Sequence, residues 1–175
     1  AKTTLDKTGN VGKYTSITIG TDGLGLITYR DSINSDLKVA HCSDTNCTEA
    51  TITALDKTGN VGKYTSITIG ADGLGLISYY DDTNDDLKVA HCSNAACTEA
   101  TKTILDSEVN VGSYTSVTIG VDGLGLISYR DWERQELKVA HCGNPACTTA
   151  IKTTLDSEGV AGRSSIIIGV FVLLY

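Results

Sequence analysis

The sequence predicts an all-β fold of tandem four-stranded antiparallel blades, a β-propeller or propeller-like arc, with an open β-solenoid as the alternative. Three observations lead there. First, the chain repeats about every 50 residues: Lys13–Gly20 returns as Lys63–Gly70 and, with small changes, as Ser113–Gly120, while Leu37–Cys42 returns as Leu87–Cys92 and Leu137–Cys142. Second, Thr, Ile and Val dominate and no segment sustains a 3.6-residue period. Third, each repeat holds four short extended segments separated by turn residues, the number and order of one propeller blade.

The second repeat shows the pattern. Ser66–Gly70 alternates Ile67 and Ile69 with Ser66 and Thr68, the period of a strand. Asp72-Gly73 is a tight-turn signal. Leu74–Tyr80 is the second segment, rich in aliphatic and aromatic residues, and a polar loop, residues 81–86, follows it. Leu87–Cys92 is the third and Thr101–Leu105 the fourth, with a cysteine loop between them. The period is offset. Thr3–Leu5 matches Thr103–Leu105, so residues 1–15 read as an orphan fourth strand and its connection. Blades then occupy 16–65, 66–115 and 116–163 within a single repeat domain, and 164–175 read as incomplete terminal strands.

Repeats of the form Ile-Gly-x-Asp-Gly-Leu…Ile-Ser-Tyr-Tyr-Asp…Asp-Leu-Lys-Val-Ala-His-Cys resemble those of secreted bacterial proteins with propeller-type domains. The resemblance covers nearly the whole chain. It implies the fold and export, and it brings no catalytic residues.

Six cysteines lie two per repeat as His-Cys-x4-Cys: Cys42/Cys47, Cys92/Cys97 and Cys142/Cys147. Even number and fixed spacing predict one disulfide per repeat and an oxidising compartment, hence an extracellular or cell-surface location. A metal site of His41, Cys42 and Cys47 fits zinc spacings poorly. Ala1 is compatible with the first residue of a processed chain. A net charge of −7 argues against nucleic acid, and no stretch reaches the ~20 apolar residues of a membrane span.

Candidate chemistry is thin. Gly9–Tyr14 lacks the spacing and following helix of a phosphate loop. The loops at 31–36 and 81–86 offer oxygen ligands, so Ca²⁺ at Asp81, Asp82, Asn84 and Asp86 is an expectation; no other cofactor is expected. The histidines of the repeat, His41, His91 and His141, are expected to make local hydrogen bonds. A glycan surface would use Tyr29, Asp31, Tyr79, Asp81, Tyr129 and Asp131, which repeat, and Arg130, Trp132 and Arg134, which do not. A sialidase-like hydrolase needs an arginine cluster, and only Arg30, Arg130, Arg134 and Arg163 are present, in no repeated register.

The leading expectation is therefore an exported, non-enzymatic structural or adhesive protein that assembles with itself head to tail, as a filament subunit. Assembly would run through Thr3, Thr4 and Leu5 and the apolar Ile166, Ile167, Ile168, Phe171, Val172, Leu173 and Leu174. The alternatives are a lectin-like propeller that binds glycans and, behind it, a sialidase-like glycoside hydrolase.

Overall fold

The computed structural model describes residues 2–157, and these residues form three four-stranded antiparallel sheets. Blade 1 contains β1 (Lys13–Ile19), β2 (Gly25–Asp31), β3 (Asp36–Cys42) and β4 (Ala50–Asp56). Blade 2 contains β5 (Lys63–Ile69), β6 (Gly75–Asp81), β7 (Asp86–Cys92) and β8 (Ala100–Asp106). Blade 3 contains β9 (Val111–Ile119), β10 (Gly125–Asp131), β11 (Glu136–Cys142) and β12 (Ala150–Asp156). Neighbours in sequence are neighbours in each sheet. The first strands β1, β5 and β9 lie side by side along the inside of the arc, while the fourth strands are outermost, β12 being largely exposed.

Each hairpin has a chemical cause. In the first turn the Asp22 carboxylate accepts the Leu24 amide at 3.0 Å, and the Gly20 amide donates to the Leu24 carbonyl at 2.8 Å. In the second, Asp31 accepts the amides of Ile33 and Asn34, a side chain standing in for a backbone turn. The third closes through a disulfide: Cys42–Cys47, Cys92–Cys97 and Cys142–Cys147 each pin one loop. Three such bridges mark an oxidising environment, and among the described residues no helix is long and apolar enough to cross a membrane.

The core lies between blades. Leu26, Leu37 and Val39 of blade 1 pack on Ile67, Ile77, Tyr79, Ala90 and the Cys92–Cys97 bridge of blade 2. Leu76, Leu87 and Val89 repeat this against Val117, Ile127, Tyr129, Ala140 and the bridge of blade 3. Gly75 is required at this contact, because a Cβ there would meet Cys92 Sγ at 2.8 Å and Leu26 Cδ2 at 3.2 Å. Stacking, not strand formation, hides these side chains. Ile67 and Val117 are 6% exposed, whereas Ile17, the same position in blade 1, is 63% exposed. The arc of described residues is not closed.

A buried polar latch accompanies each apolar contact. The carboxylate of Asp56, at the end of β4, accepts the Tyr79 hydroxyl at 2.8 Å and the Lys88 ammonium at 2.6 Å, both from the next blade. Asp106 does the same for Tyr129 at 2.7 Å and Lys138 at 3.1 Å, and Lys152 adds a second cation at 2.7 Å. Asp6 serves Tyr29 and Lys38 of blade 1 at 2.8 and 2.9 Å. Residues 2–12 form no strand among the described residues, and the partners expected for Thr3, Thr4 and Leu5 at 164–175 lie outside them; the latch aspartate Asp6 is the described counterpart of Asp56 and Asp106. The expected assembly residues Ile166–Ile168 and Phe171–Leu174 lie outside the described residues.

Burial opposes ionisation of Asp56, but the Lys88 and Tyr79 hydrogen bonds prevail and hold its carboxyl below the usual carboxylate range. A carboxyl depressed in the fold contributes stability that is fully present above its unfolded value of 3.8 and is lost as pH falls through the folded value. Asp106 is lowered in the same way, with Lys152, Tyr129 and Lys138 outweighing burial. Urea midpoints are expected to hold between about pH 7 and 5 and to fall below about pH 4; a midpoint at pH 3 equal to that at pH 7 would contradict the latch. Asp56→Ala strands a buried ammonium and should lower unfolding free energy by about 3 kcal/mol in urea titrations at neutral pH. A loss under about 0.5 kcal/mol, typical of a surface change, would show that the latch is dispensable.

Candidate functional site

The two rims of the arc differ. One carries the Asp-Gly turns and the cysteine loops. There His41, His91 and His141 each meet the turn aspartate of their own blade, Asp22, Asp72 and Asp122, at 2.7 Å. The other rim carries the starts of the inner strands, the 32–35, 82–85 and 132–135 loops and the connections between blades.

On that second rim the inner strands begin irregularly. The pairing register of β1, β5 and β9 with their partners shifts close to Tyr14, Tyr64 and Tyr114. These tyrosines sit at φ of 55°, 54° and 53°, a left-handed conformation disfavoured for a bulky side chain. The result is an aromatic row across the blades. Ring centroids are 4.9 Å apart for Tyr14–Tyr64 and 4.4 Å apart for Tyr64–Tyr114. Burial and a hydrogen bond to Tyr114 push the Tyr64 hydroxyl up to about 12.

Asparagines of the connections tie blade to blade beside this row. Asn60 accepts Arg30 Nη2 of blade 1 at 2.5 Å and donates to Asp82 of blade 2 at 2.6 Å. Asn110 accepts the Tyr80 hydroxyl at 3.2 Å and offers its carbonyl to the Trp132 amide at 2.9 Å.

The repeats diverge here. In blade 2, Lys63 crosses to Asp82 at 2.6 Å and fills the space beside the aromatic row. In blade 3 the same two positions are Ser113 and Trp132. The short serine leaves a cleft of about 210 Å³ between blades 2 and 3, lined by Tyr64, Tyr80, Asp82, Asn110, Ser113 and Trp132. Trp132 is 49% exposed and stacks on Arg130, whose guanidinium carbon is 4.1 Å from the ring centre. The Ser113 hydroxyl and Arg130 Nε are buried with no hydrogen-bond partner. The Tyr80 hydroxyl donates to Asp85 at 2.5 Å, and burial followed by that bond drives its pKa far above the ordinary value. Tyr80 is thus a fixed donor, not a nucleophile.

Sequence-predicted residues divide between the rim and the interior. Trp132 lines the cleft, and Arg130 stacks against its ring without lining the cleft itself. Arg134 turns away, pairing with Asp131 at 2.9 Å and Glu108 at 3.0 Å. Tyr29, Tyr79 and Tyr129 are buried latch donors, and their hydroxyls are occupied by Asp6, Asp56 and Asp106. Asp31, Asp81 and Asp131 are buried turn-makers beneath the loops, and none of these six lines the cleft. The calcium expectation meets a similar obstacle. Asp81 holds the Thr83 and Asn84 amides, and Asp82 is engaged by Lys63 and Asn60. Asp86 is itself buried, and among the described residues no group of three or more His, Cys, Asp or Glu is placed to hold a metal. Residue reading overlooked Tyr64, Tyr80, Asn110 and Ser113. The available signal was the break in the repeat, Lys63 against Ser113 and Tyr80 against Arg30 and Arg130.

No family model and no curated protein matches the sequence. Solved structures do match. A GH43 β-1,3-galactosidase aligns with TM-score 0.60 at 10% identity, over 82% of this chain and 32% of that one. An α-L-arabinofuranosidase from Lactobacillus brevis aligns with TM-score 0.56 at 12% identity, over 82% and 53%. An exo-β-1,3-galactanase from Clostridium thermocellum aligns with TM-score 0.53 at 12% identity, over 85% and 38%. The chain thus spans between a third and about half of the length of these proteins. At such identity the likeness shows the fold, a propeller type. The expectation of a non-enzymatic structural or adhesive filament subunit does not survive this comparison, because the matched propellers are glycoside hydrolases.

Proposed function

We propose that the chain is part of a glycoside hydrolase of the propeller type, and that the cleft between blades 2 and 3 contacts the sugar. One observation carries the reading: Tyr64, Tyr80 and Trp132 converge with Asp82, Asn110 and the unpartnered Ser113 hydroxyl in one concave space on the rim of the inner-strand starts. Aromatic faces pack on the C–H faces of a sugar ring, while a few placed polar groups meet its hydroxyls; such a mixture is the usual make-up of a ligand site. The matched propellers act, by their names, on galactosides and arabinofuranosides, and those are the substrates to try first. The disulfides support an extracellular place of action.

Hydrolysis of a glycosidic bond uses two carboxyl groups about the scissile bond. Asp82 is the carboxylate that the cleft supplies. Lys63 and Asn60, each at 2.6 Å from one of its oxygens, position it and leave its remaining lone pairs for substrate. Tyr80, whose hydroxyl proton is held by Asp85, adds a ring face and an acceptor oxygen.

The test is a panel of aryl β-galactosides, aryl α-L-arabinofuranosides and β-1,3-galactan. Trp132, the only tryptophan of the chain, reports binding by its fluorescence. Hydrolysis of at least one substrate is expected, with Asp82→Asn lowering turnover by roughly 10²–10⁴-fold while circular dichroism stays unchanged. Neither hydrolysis nor any change in Trp132 emission across the panel would contradict the proposal.

A further inference from the structure

We propose that the open face of blade 1 receives blade 3 of a second copy of this chain, and that two copies of the three sheets so joined close a ring of six. The inference is independent of the carbohydrate reading. It starts from a contact that the chain makes twice within itself. Leu26, Leu37 and Val39 of blade 1 enter blade 2, and Leu76, Leu87 and Val89 of blade 2 enter blade 3, all six fully buried.

Blade 1 carries the same socket without its occupant. A Cβ on Gly62 would lie 2.9 Å from Leu37 Cα and one on Gly112 2.6 Å from Leu87 Cα, whereas one on Gly12 would meet no described atom within 4 Å. Thr21 and Ala71 reach Gly73 and Gly123 in the same manner, at 3.0 and 3.2 Å, and no described residue reaches Gly23. Val61, Ile77, Tyr79 and Ala90 close on the incoming leucines, while their counterparts Val11, Ile27, Tyr29 and Ala40 line an open hollow of about 200 Å³. Beside it Ile17 and Ile19 are 63% and 61% exposed, an apolar surface that blades 2 and 3 hide.

The matching knobs stand at the other end of the arc. Leu126, Leu137 and Val139 occupy in blade 3 the places of Leu26, Leu37 and Val39, and each is partly exposed. Val121, at the position of Thr21 and Ala71, is 98% exposed. Socket and knobs therefore belong to a contact whose geometry the chain already builds twice. Between copies such a contact is heterologous, so it closes a ring or continues. Arcs of three blades close at a multiple of three, and six is the multiple within the range of about four to eight that propellers use. The latch changes hands at the junction. Asp6 holds Tyr29 and Lys38, while Asp156 stands opposite Leu137 in blade 3 as Asp56 stands opposite Leu37 in blade 1. Docking brings the second copy's Asp156 to the same tyrosine and lysine, and Asp6 yields to it.

The test is sedimentation equilibrium of the intact, oxidised chain from about 1 to 100 µM. A species of twice the 18.4 kDa chain mass is expected. Ile17→Asp in the socket and Leu137→Asp among the knobs alter side chains already exposed or partly exposed in the single chain, so both should keep its circular dichroism. Each should weaken the dimer by roughly 30-fold or more. Ile151→Asp is the control, since this position is exposed in all three blades, and it should leave the dimer intact. Asp156→Ala should loosen the dimer and Asp6→Ala should tighten it, each by roughly tenfold, because the two carboxylates compete for one latch. A monomer at every concentration would overturn the proposal and leave the socket to another occupant. A dimer indifferent to both Ile17→Asp and Leu137→Asp would remove these faces as the junction. An open ladder of larger species would overturn the ring. Equal dimerisation by Asp6→Ala and Asp156→Ala would overturn the exchange of the latch.

Discussion

The carboxylate that ends each outer strand is the fixed point of this molecule. Asp56 and Asp106 belong to one blade and receive a tyrosine hydroxyl and a lysine ammonium from the next. A single four-stranded sheet of this sequence has no way to hide Tyr79, Lys88 or Leu76 alone. The latch gives the buried polar groups partners, and the leucine and valine contacts beside it remove apolar surface from water. Because the same residues recur every 50 positions, each blade is both donor and acceptor of this contact. The register of one blade on another is set by a charged, directional bond, and the apolar packing then follows.

With the blades locked in this way, the rim bearing the inner-strand starts becomes the place where the repeats are free to differ. The left-handed tyrosines occur in all three blades and build a row of rings. Beside that row blade 2 keeps a lysine–aspartate pair and blade 3 does not. A cleft therefore opens at one interface through loss of a side chain, with no change of backbone architecture. The opposite rim, with its three equivalent His–Asp pairs and disulfide loops, stays uniform.

Much of the fold was legible because the period is direct evidence of repeated units and the Asp-Gly and cysteine turns bound each strand. Observed strands such as Lys63–Ile69 and Ala100–Asp106 match the expected segments within a few residues. Thr3–Leu5 matches a fourth strand in sequence but forms no strand among the described residues, because its neighbour in the repeat is not among them. The site was less legible. Tyr29 and Asp31 repeat as a ligand-binding motif would, yet their repetition reflects the latch and the turn. Repetition in this chain marks structure, and the proposed site lies where it breaks, at Ser113, Trp132 and Tyr80. That break was visible around Arg130 and Trp132. Its partners from blade 2 were not, because Tyr64 and Asp82 lie tens of residues away in sequence and meet blade 3 only through the blade contact.

The account is tested most directly by mapping amide chemical shifts in the intact protein as sugar is added. It predicts perturbations gathered at Tyr64, Tyr80, Asp82, Asn110, Ser113 and Trp132, with the His41–Asp22 rim and the first-blade counterparts Tyr14 and Ser32 unmoved. Perturbations centred on the cysteine-loop rim or on blade 1, with the cleft residues silent, would contradict it.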